Sequence, residues 1–292
     1  MARTTPTPNK AASLELIEGF SLEMTGKDVP GLLEATHAIP QGTKINVTFL
    51  GNEDLEMRVT ASKAVKDAGF VPVPHISARR LKAQDQLEEF LGALQEVGAT
   101  EHVFVVGGDP AEPEGPYPDA LSVIRTGLLQ QYGVKTVSIA GYPEGHPEIP
   151  SDALWRHLED KSDALKEQGL DATILTQFSF DTYAVVDWVQ QVRAAGIDTI
   201  IRIGTPGPAG IKRLITFARR FGIGANAMIV KKYGFSLTNL VGAAGPDKFV
   251  TDLAALLAED PASGPVKLHF YTFGGLLATA EWANKYVATQ VS

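Results

Sequence analysis

The chain has 292 residues, of which 44% are hydrophobic and 21% charged, so it can bury a large core and is not an intrinsically disordered protein. Its 26 Lys and Arg residues against 34 Asp and Glu residues give a net charge of −8, which argues against nucleic acid or an anionic membrane as a partner. The absence of cysteine excludes disulfides, thiolate nucleophiles and cysteine-ligated zinc or iron–sulfur sites.

Residues 1–13 hold threonines, prolines and basic residues but no apolar segment, so they do not resemble a signal peptide and are predicted to form a flexible tail. No run in the chain approaches the roughly 20 uncharged apolar residues that a membrane-spanning helix needs. We therefore expect a cytoplasmic protein in which residues 14–292 form a single domain.

Eight short runs rich in β-branched and aromatic residues recur along the chain, separated by Gly, Pro and Asp turn signals. The predicted strands are Gly19–Thr25, Thr43–Leu50, Gly69–Ser77, His102–Gly107, Lys135–Gly141, Ala172–Phe180, Thr199–Gly204 and Val266–Phe273. Eight strands that alternate with helices predict a (β/α)8 TIM barrel, with an open doubly wound sheet as the alternative.

Segments with helical spacing lie between most of the strands. The clearest are Ala78–Ala99, with an apolar stripe from Leu87 to Leu94, and Asp181–Ala195, for which Asp181 is the expected N-cap. The long connection after the seventh strand is expected to contain two more helices, Ile211–Phe221 and Thr238–Glu259.

Polar residues collect at the predicted carboxyl ends of the strands, where a barrel of this kind binds its ligands. They are Glu23, Thr48, His75, Asp109, Tyr142, Glu144, His146, Gln177, Tyr271 and Thr272, together with the glycine-rich loop 204–210. These residues are expected to meet at one rim of the barrel.

Glu23 stands among apolar neighbours, so desolvation would raise its pKa toward neutrality and suit it to general acid catalysis. A surface glutamate where a strand passes into a loop fits the local sequence equally well. Gly107 and Gly108 would let a flat ligand approach the backbone, and Asp109 would then accept a ring N–H. The alternative, which the local sequence favours, is a plain Gly-Gly-Asp-Pro turn.

In the segment Tyr142–Glu148, two prolines and a glycine fix the backbone from which aromatic, imidazole and carboxylate groups project. A metal site is not expected, because His75, His146 and His269 lack a paired ligand spacing and two of them, His75 and His269, are equally interpretable as core histidines. The amide of Gln177 suits the edge of a heterocycle. Dinucleotide-binding, P-loop and nucleophile-elbow motifs do not occur.

Taken together, these segments resemble the bacterial methylenetetrahydrofolate reductase family over nearly the whole chain. The most specific element is the run Tyr-Pro-Glu-x-His-Pro-Glu at Tyr142–Glu148. It is supported by Thr176-Gln177-Phe178, by Val73-Pro74-His75-Ile76 and by His269-Phe270-Tyr271-Thr272, which occur in the order of the family.

The resemblance implies a flavoprotein in which NADH or NADPH passes a hydride through FAD to 5,10-methylenetetrahydrofolate, in one-carbon metabolism and methionine biosynthesis. It implies that Glu23 is the proton donor, that Asp109 lies by the flavin and folate rings, and that Gln177 contacts folate and nicotinamide. Flavin contacts are implied for Thr48, His75, Gly108, Asp109, Tyr142, His146 and Lys161, and folate contacts for Asp109, Gln177 and Tyr271. A homo-oligomer is a further expectation. The regulatory domain of eukaryotic relatives is not expected here, so we expect no inhibition by adenosylmethionine.

The sequence departs from the family pattern at three places. Gly107 stands where the family has an arginine near the flavin, Gly275 where an arginine often binds the glutamate tail of folate, and Val47-Thr48-Phe49-Leu50-Gly51 replaces Thr-Tyr-Gly. Arg202 or Arg213 is a candidate substitute for the tail contact. Two alternatives therefore stay open: the same catalyst working as a 5-methyltetrahydrofolate oxidase, and a folate-binding or regulatory barrel without flavin.

Overall fold

The computed structural model describes residues 7–51, 53–220 and 245–292. Eight parallel strands form a closed barrel in chain order, which confirms the (β/α)8 prediction and excludes the open sheet. The strands are β1 Ser21–Met24, β2 Lys44–Val47, β3 Val71–Ser77, β4 His102–Val106, β5 Thr136–Gly141, β6 Asp171–Thr176, β7 Ile200–Pro206 and β8 Val266–Tyr271. Each overlaps one predicted strand.

Eleven α-helices lie within the described residues, most of them between successive strands. They are α1 Lys10–Ile17, α2 Val29–Ala35, α3 Leu55–Asp67, α4 Gln84–Glu96, α5 Ala120–Ile124, α6 Leu128–Gln131, α7 Ser151–Glu167, α8 Thr182–Ala194, α9 Ile211–Arg220, α10 Asp247–Ala258 and α11 Leu276–Val291. Short 3₁₀ turns occur at Gly26–Asp28, Ala78–Arg80 and Pro261–Ser263. None of these described helices has the length and hydropathy to cross a membrane.

The two clearest helix predictions are confirmed with changed ends. Asp181 caps α8 by accepting hydrogen bonds from the backbone N–H groups of Tyr183 and Ala184, and the apolar stripe of α4 is buried. The segment Ala78–Ala99 is not one helix, because Ala78–Arg80 forms a 3₁₀ turn and Ala83 is extended before α4 begins.

Two other predicted boundaries also differ. The predicted helix Thr238–Glu259 begins only at Asp247, and residues 238–244 lie outside the described part of the chain, as does Phe221 at the end of the predicted helix Ile211–Phe221. The flexible tail predicted for residues 1–13 is wrong from Lys10 onward. There α1 begins, because Asn9 caps its first turn and Ser13, Leu16 and Ile17 are buried.

Contacts among the described residues divide the chain into two compact units. The central unit is Ser21–Gly141 with Asp152–Leu175, and the terminal unit is Met1–Phe20, Tyr142–Ser151 and Thr176–Ser292. The single domain expected for residues 14–292 stays a prediction.

Within the central unit, strand register places polar and apolar layers along the barrel wall. Glu23 on β1 is paired in register with Asn46 on β2, while Val73, Phe104 and Leu175 pack with Val106 and Ala140 into an apolar cluster. Side chains alternate between the two faces along a strand, and residues paired in register on neighbouring strands point to the same face. The register therefore places Glu23 beside the side chain of Asn46.

Candidate active site

Glu23 lies within β1, where Ser21, Leu22 and Met24 are buried and Glu23 itself is partly exposed. Burial raises the pKa of its carboxyl group from the ordinary 4.5 to about 7, and the positive charge of His75 acts in the opposite direction. Desolvation penalises the charged form of an acid, so the larger effect has the sign expected from the apolar neighbours of Glu23. At neutral pH this carboxyl group exists in both protonation states.

His75 on β3 is buried and is held on two sides. The amide nitrogen Nδ2 of Asn46 lies 3.2 Å from its Nε2, and the ring of Phe104 stands edge-on at 4.7 Å between centroids. The amide donates to Nε2 when that nitrogen carries no proton. Sequence reasoning missed Asn46, since a single asparagine inside a strand has no spacing that distinguishes it.

Two hydroxyl groups at the ends of β2 and β3 are available for a bound ring system. Thr48 Oγ1 and Ser77 Oγ are buried and have no hydrogen-bond partner among the described residues. Gly108 has a φ of +99°, and a Cβ there would lie 2.1 Å from Ser77 Oγ, so only glycine allows this close approach. These buried polar atoms and the glycine backbone fit the polar edge of a flat cofactor such as FAD.

Asp109 follows β4 and is bound by an arginine that sequence reasoning missed. Arg80 donates to Asp109 Oδ1 from Nε at 2.9 Å and from Nη2 at 2.6 Å. The neighbouring Arg79 donates to the backbone oxygens of Pro110, Ala111 and Pro118, so it holds the loop that carries Asp109. The Gly-Gly-Asp-Pro segment bends at Asp109, and Arg80 orients the carboxylate there.

Lys161 lies on α7 and is buried. Burial lowers the pKa of its ammonium group from 10.5 to about 8, and the nearby carboxylate of Asp119 raises it in part. Asp119 also caps α5 by accepting from the N–H of Ser122 at 2.9 Å. The carboxylate of Asp119 is thus close enough to affect the charge of Lys161, and the flavin contact of Lys161 stays a prediction.

In the terminal unit, Tyr142 and His146 form an edge-to-face pair with ring centroids 5.5 Å apart. Burial raises the pKa of the Tyr142 phenol, which therefore stays neutral at physiological pH. His146 Nδ1 accepts a hydrogen bond from the backbone N–H of Glu148 at 3.1 Å, which fixes the ring. The segment Tyr142–Glu148 thus presents an oriented phenol and imidazole.

Glu144 connects this segment to the loop after β6. Its Oε1 accepts hydrogen bonds from the hydroxyl of Ser179 and from the backbone N–H groups of Phe180 and Asp181, the latter two at 3.0 and 3.3 Å. The sequence places Glu144 at a strand end but does not show this role. The carboxylate holds the loop that begins with Gln177.

Gln177 and Tyr271, the predicted folate contacts, lie at the ends of β6 and β8. Gln177 Oε1 accepts from the N–H of Phe178 at 3.0 Å. The hydroxyl of Tyr271 donates to the backbone oxygen of Thr176 at 3.1 Å, and its ring packs edge-on against Phe178. Both side chains are therefore held by the same short segment of chain.

His269 on β8 is completely buried and matches the expectation of a core histidine. Burial and the positive charge of Arg202 lower its pKa from 6.5 to about 3. The two candidate substitutes for a folate-tail arginine both donate to backbone oxygens, Arg202 to Gly19 and Arg213 to Phe273. Gly19 precedes β1, so Arg202 lies toward the amino end of β7.

Comparison with known proteins gives relatives in one family. The chain is 31% identical over 177 residues to the 5,10-methylenetetrahydrofolate reductase of Pectobacterium carotovorum subsp. carotovorum, covering 60% of this chain and 57% of that protein. It is 32% identical over 131 residues to methylenetetrahydrofolate reductase 2 of Saccharomyces cerevisiae, covering 41% of this chain and 20% of that protein. The chain thus spans less than two thirds of the length of either relative.

Among solved structures, the chain is similar to an uncharacterized protein from Clostridium thermocellum that binds two copies of 5-methyl-5,6,7,8-tetrahydrofolic acid. The match has a TM-score of 0.62 at 12% identity and covers 96% of this chain and 99% of that chain, which shows the shared fold. The model of the family described as methylenetetrahydrofolate reductase matches residues 20–275. This match runs from just before β1 to just before α11, and the chain therefore belongs to the methylenetetrahydrofolate reductase family.

Proposed function

We propose that the protein is a flavin-dependent 5,10-methylenetetrahydrofolate reductase, in which NADH or NADPH supplies the electrons and 5-methyltetrahydrofolate is the product. The observation that carries this proposal is the state of Glu23, a carboxyl group whose pKa burial raises to about 7 at the end of the first strand of a barrel of this family. A general acid works best when its pKa lies near the working pH.

Glu23 performs the proton transfer that the reaction requires. Opening the five-membered ring of the substrate needs a proton on a folate nitrogen, and the neutral carboxyl of Glu23 donates it from its OH group. FAD, when bound, carries the hydride between nicotinamide and folate. The positive charge of His75 keeps the pKa of Glu23 from rising further, so the carboxyl group can still release its proton near neutral pH.

The remaining candidate residues bind the cofactor and orient the folate. In the central unit, the cofactor is held by the hydroxyl of Thr48, by His75 and by the backbone at Gly108. Asp109 accepts a hydrogen bond from a ring N–H of the folate pterin. Lys161 contributes a positive charge to the same cofactor.

In the terminal unit, Tyr142 and His146 hold the cofactor, while Gln177 and Tyr271 orient folate. We place this reaction in one-carbon metabolism and methionine biosynthesis, catalysed by a cytoplasmic homo-oligomer that has no nucleic acid or membrane partner.

The test is an anaerobic spectrum of the purified protein mixed with FAD. We expect a visible flavin band that NADH or NADPH bleaches and that 5,10-methylenetetrahydrofolate restores, with 5-methyltetrahydrofolate as the product. A matched sample without nicotinamide controls for oxidation by folate alone. A colourless protein that binds folate but takes up no flavin would overturn the proposal in favour of the flavin-free barrel.

A further inference from the structure

Arg80, just after β3, joins three segments of the central unit. Its Nε and Nη2 both donate to Asp109 Oδ1, its Nη1 lies 3.9 Å from Glu114 Oε1, and its guanidinium lies over the ring of Phe49 at 5.4 Å from the centroid. An arginine that makes two bonds to one carboxylate while it lies on an aromatic ring has little freedom to rotate.

The backbone at Gly51 also shapes the position of this guanidinium. A Cβ on Gly51 would lie 2.8 Å from Arg80 Nη2 and 2.9 Å from Nη1, so a larger residue there would displace the arginine. Phe49 is further fixed by Arg58, whose guanidinium lies 3.9 Å from the ring centroid on the α3 side. Phe49 and Gly51, in the loop after β2, thus fix the position of the Arg80 guanidinium.

The ion pair is asymmetric in exposure. The side chain of Arg80 is 19% exposed, whereas that of Asp109 is 72% exposed. A pair whose carboxylate is open to water contributes little to stability. Its evident consequence is instead geometric: a held cation fixes an exposed carboxylate in one orientation.

Both bonds from Arg80 go to Oδ1, and Oδ2 of Asp109 accepts no hydrogen bond within the described part of the chain. One oxygen of Asp109 is therefore committed to the arginine and the other is presented outward as an acceptor.

We infer that Arg80 is a positioning residue for the reaction, which orients Asp109 so that Oδ2 accepts the ring N–H of a pterin. This inference rests on the proposed function, because it assigns the ligand of Asp109 as folate. Arg80 itself acts through Asp109 and not by touching the reacting atoms.

The experiment measures the dissociation constant of 5-methyltetrahydrofolate by calorimetry for the wild type, Arg80→Met, Arg80→Lys, Asp109→Asn and the double variant Arg80→Met with Asp109→Asn. Arg80→Met is expected to weaken binding about 10-fold, because a charge-assisted bond that orients the acceptor is lost. Arg80→Lys keeps the charge without the two-bond geometry and is expected to recover part of the affinity. In the Asp109→Asn background, Arg80→Met is expected to change binding less than 2-fold, as a double-mutant cycle requires for residues that act together.

Arg156→Gln is the matched control, since it removes an exposed arginine that pairs with Asp152 on α7. It should bind folate as the wild type does. An unchanged affinity in Arg80→Met, or an equal loss with and without Asp109, overturns the inference while wild-type turnover leaves the proposed function standing. A wild type that neither binds nor reduces folate overturns both. If Arg80→Met does not fold, Arg80→Lys decides by the same criteria.

Discussion

Glu23 on β1 and His269 on β8 are titratable side chains on barrel strands, and burial moves both toward their neutral forms. The pKa of Glu23 rises to about 7, whereas that of His269 falls to about 3. Glu23 is partly exposed and can exchange a proton near neutral pH, while His269 is completely buried and stays an uncharged base. The same physical effect thus produces one group suited to acid catalysis and one suited only to packing.

Nearby positive charge sharpens this contrast. His75 lowers the pKa of Glu23 and so limits the rise that burial causes, which keeps the group able to ionise. Arg202 also lowers the pKa of His269, but there it adds to the effect of burial. A cation beside a buried acid lowers the raised pKa of the acid toward the working pH. A cation beside a buried base lowers the pKa of the base further below that pH.

The largest expected effect comes from replacing the acid. Glu23→Gln should slow reduction of methylenetetrahydrofolate by about 10²- to 10⁴-fold, because the proton donor is lost. Reduction of the flavin by nicotinamide needs no such proton and should change little. Stopped-flow absorbance of the two half-reactions measures both rates. His269→Gln is the control and should leave both half-reactions unchanged, whereas an equal loss in both for Glu23→Gln would refute the role of Glu23.

The two groups also predict opposite dependences of stability on pH. Glu23 has a raised pKa in the folded state, so its contribution to stability is lost as the pH rises from 4.5 to about 7. His269 has a lowered pKa, so its contribution is lost as the pH falls from 6.5 toward about 3. Between pH 4.5 and 6.5 the two slopes oppose each other in the wild type.

Denaturant unfolding of two variants separates these slopes. In Glu23→Gln the free energy of unfolding should rise with pH across that window, and in His269→Gln it should fall, by up to about 1.4 kcal/mol per pH unit in each case. Slopes of the same sign in both variants would show that burial does not control the two groups as described.

A smaller effect is expected from His75→Gln, which removes the positive charge near Glu23. The pKa of Glu23 should then rise above its wild-type value, because only desolvation remains. The folate half-reaction should accordingly keep its rate to a higher pH. The measurement is the pH at which this rate falls to half, and a shift toward lower pH would contradict the electrostatic role of His75.

The strands could be predicted because their signals are local, whereas the local sequence left the environment of Glu23 open. β-branched runs between turn residues locate all eight strands. The apolar neighbours Leu22 and Met24 fit a desolvated Glu23 as well as a surface glutamate, and the structure decides for burial of the carboxyl group. Asn9, the N-cap of α1, is a local signal of the same kind, so the start of this helix inside the predicted tail could have been predicted from the sequence.

The contacts that hold the site could not be predicted in this way. Arg80 and Asp109 are 29 residues apart, and Glu144 and Phe180 are 36 residues apart. Such pairs depend on the conformations of two loops at once, which neither hydrophobic period nor residue spacing encodes. The sequence thus indicates which residues stand at the strand ends, while the orientation of Asp109 and Gln177 required the structure.

The most direct test of the account is the pH dependence of the folate half-reaction in the wild type and in Glu23→Gln. We predict that the wild-type rate falls as the pH rises through about 7, the pKa to which burial raises Glu23, with a single ionisation, and that this inflection is absent from the slow residual rate of the variant. A wild-type rate that does not change with pH, or the same inflection in both proteins, would contradict the assignment of Glu23 as the acid.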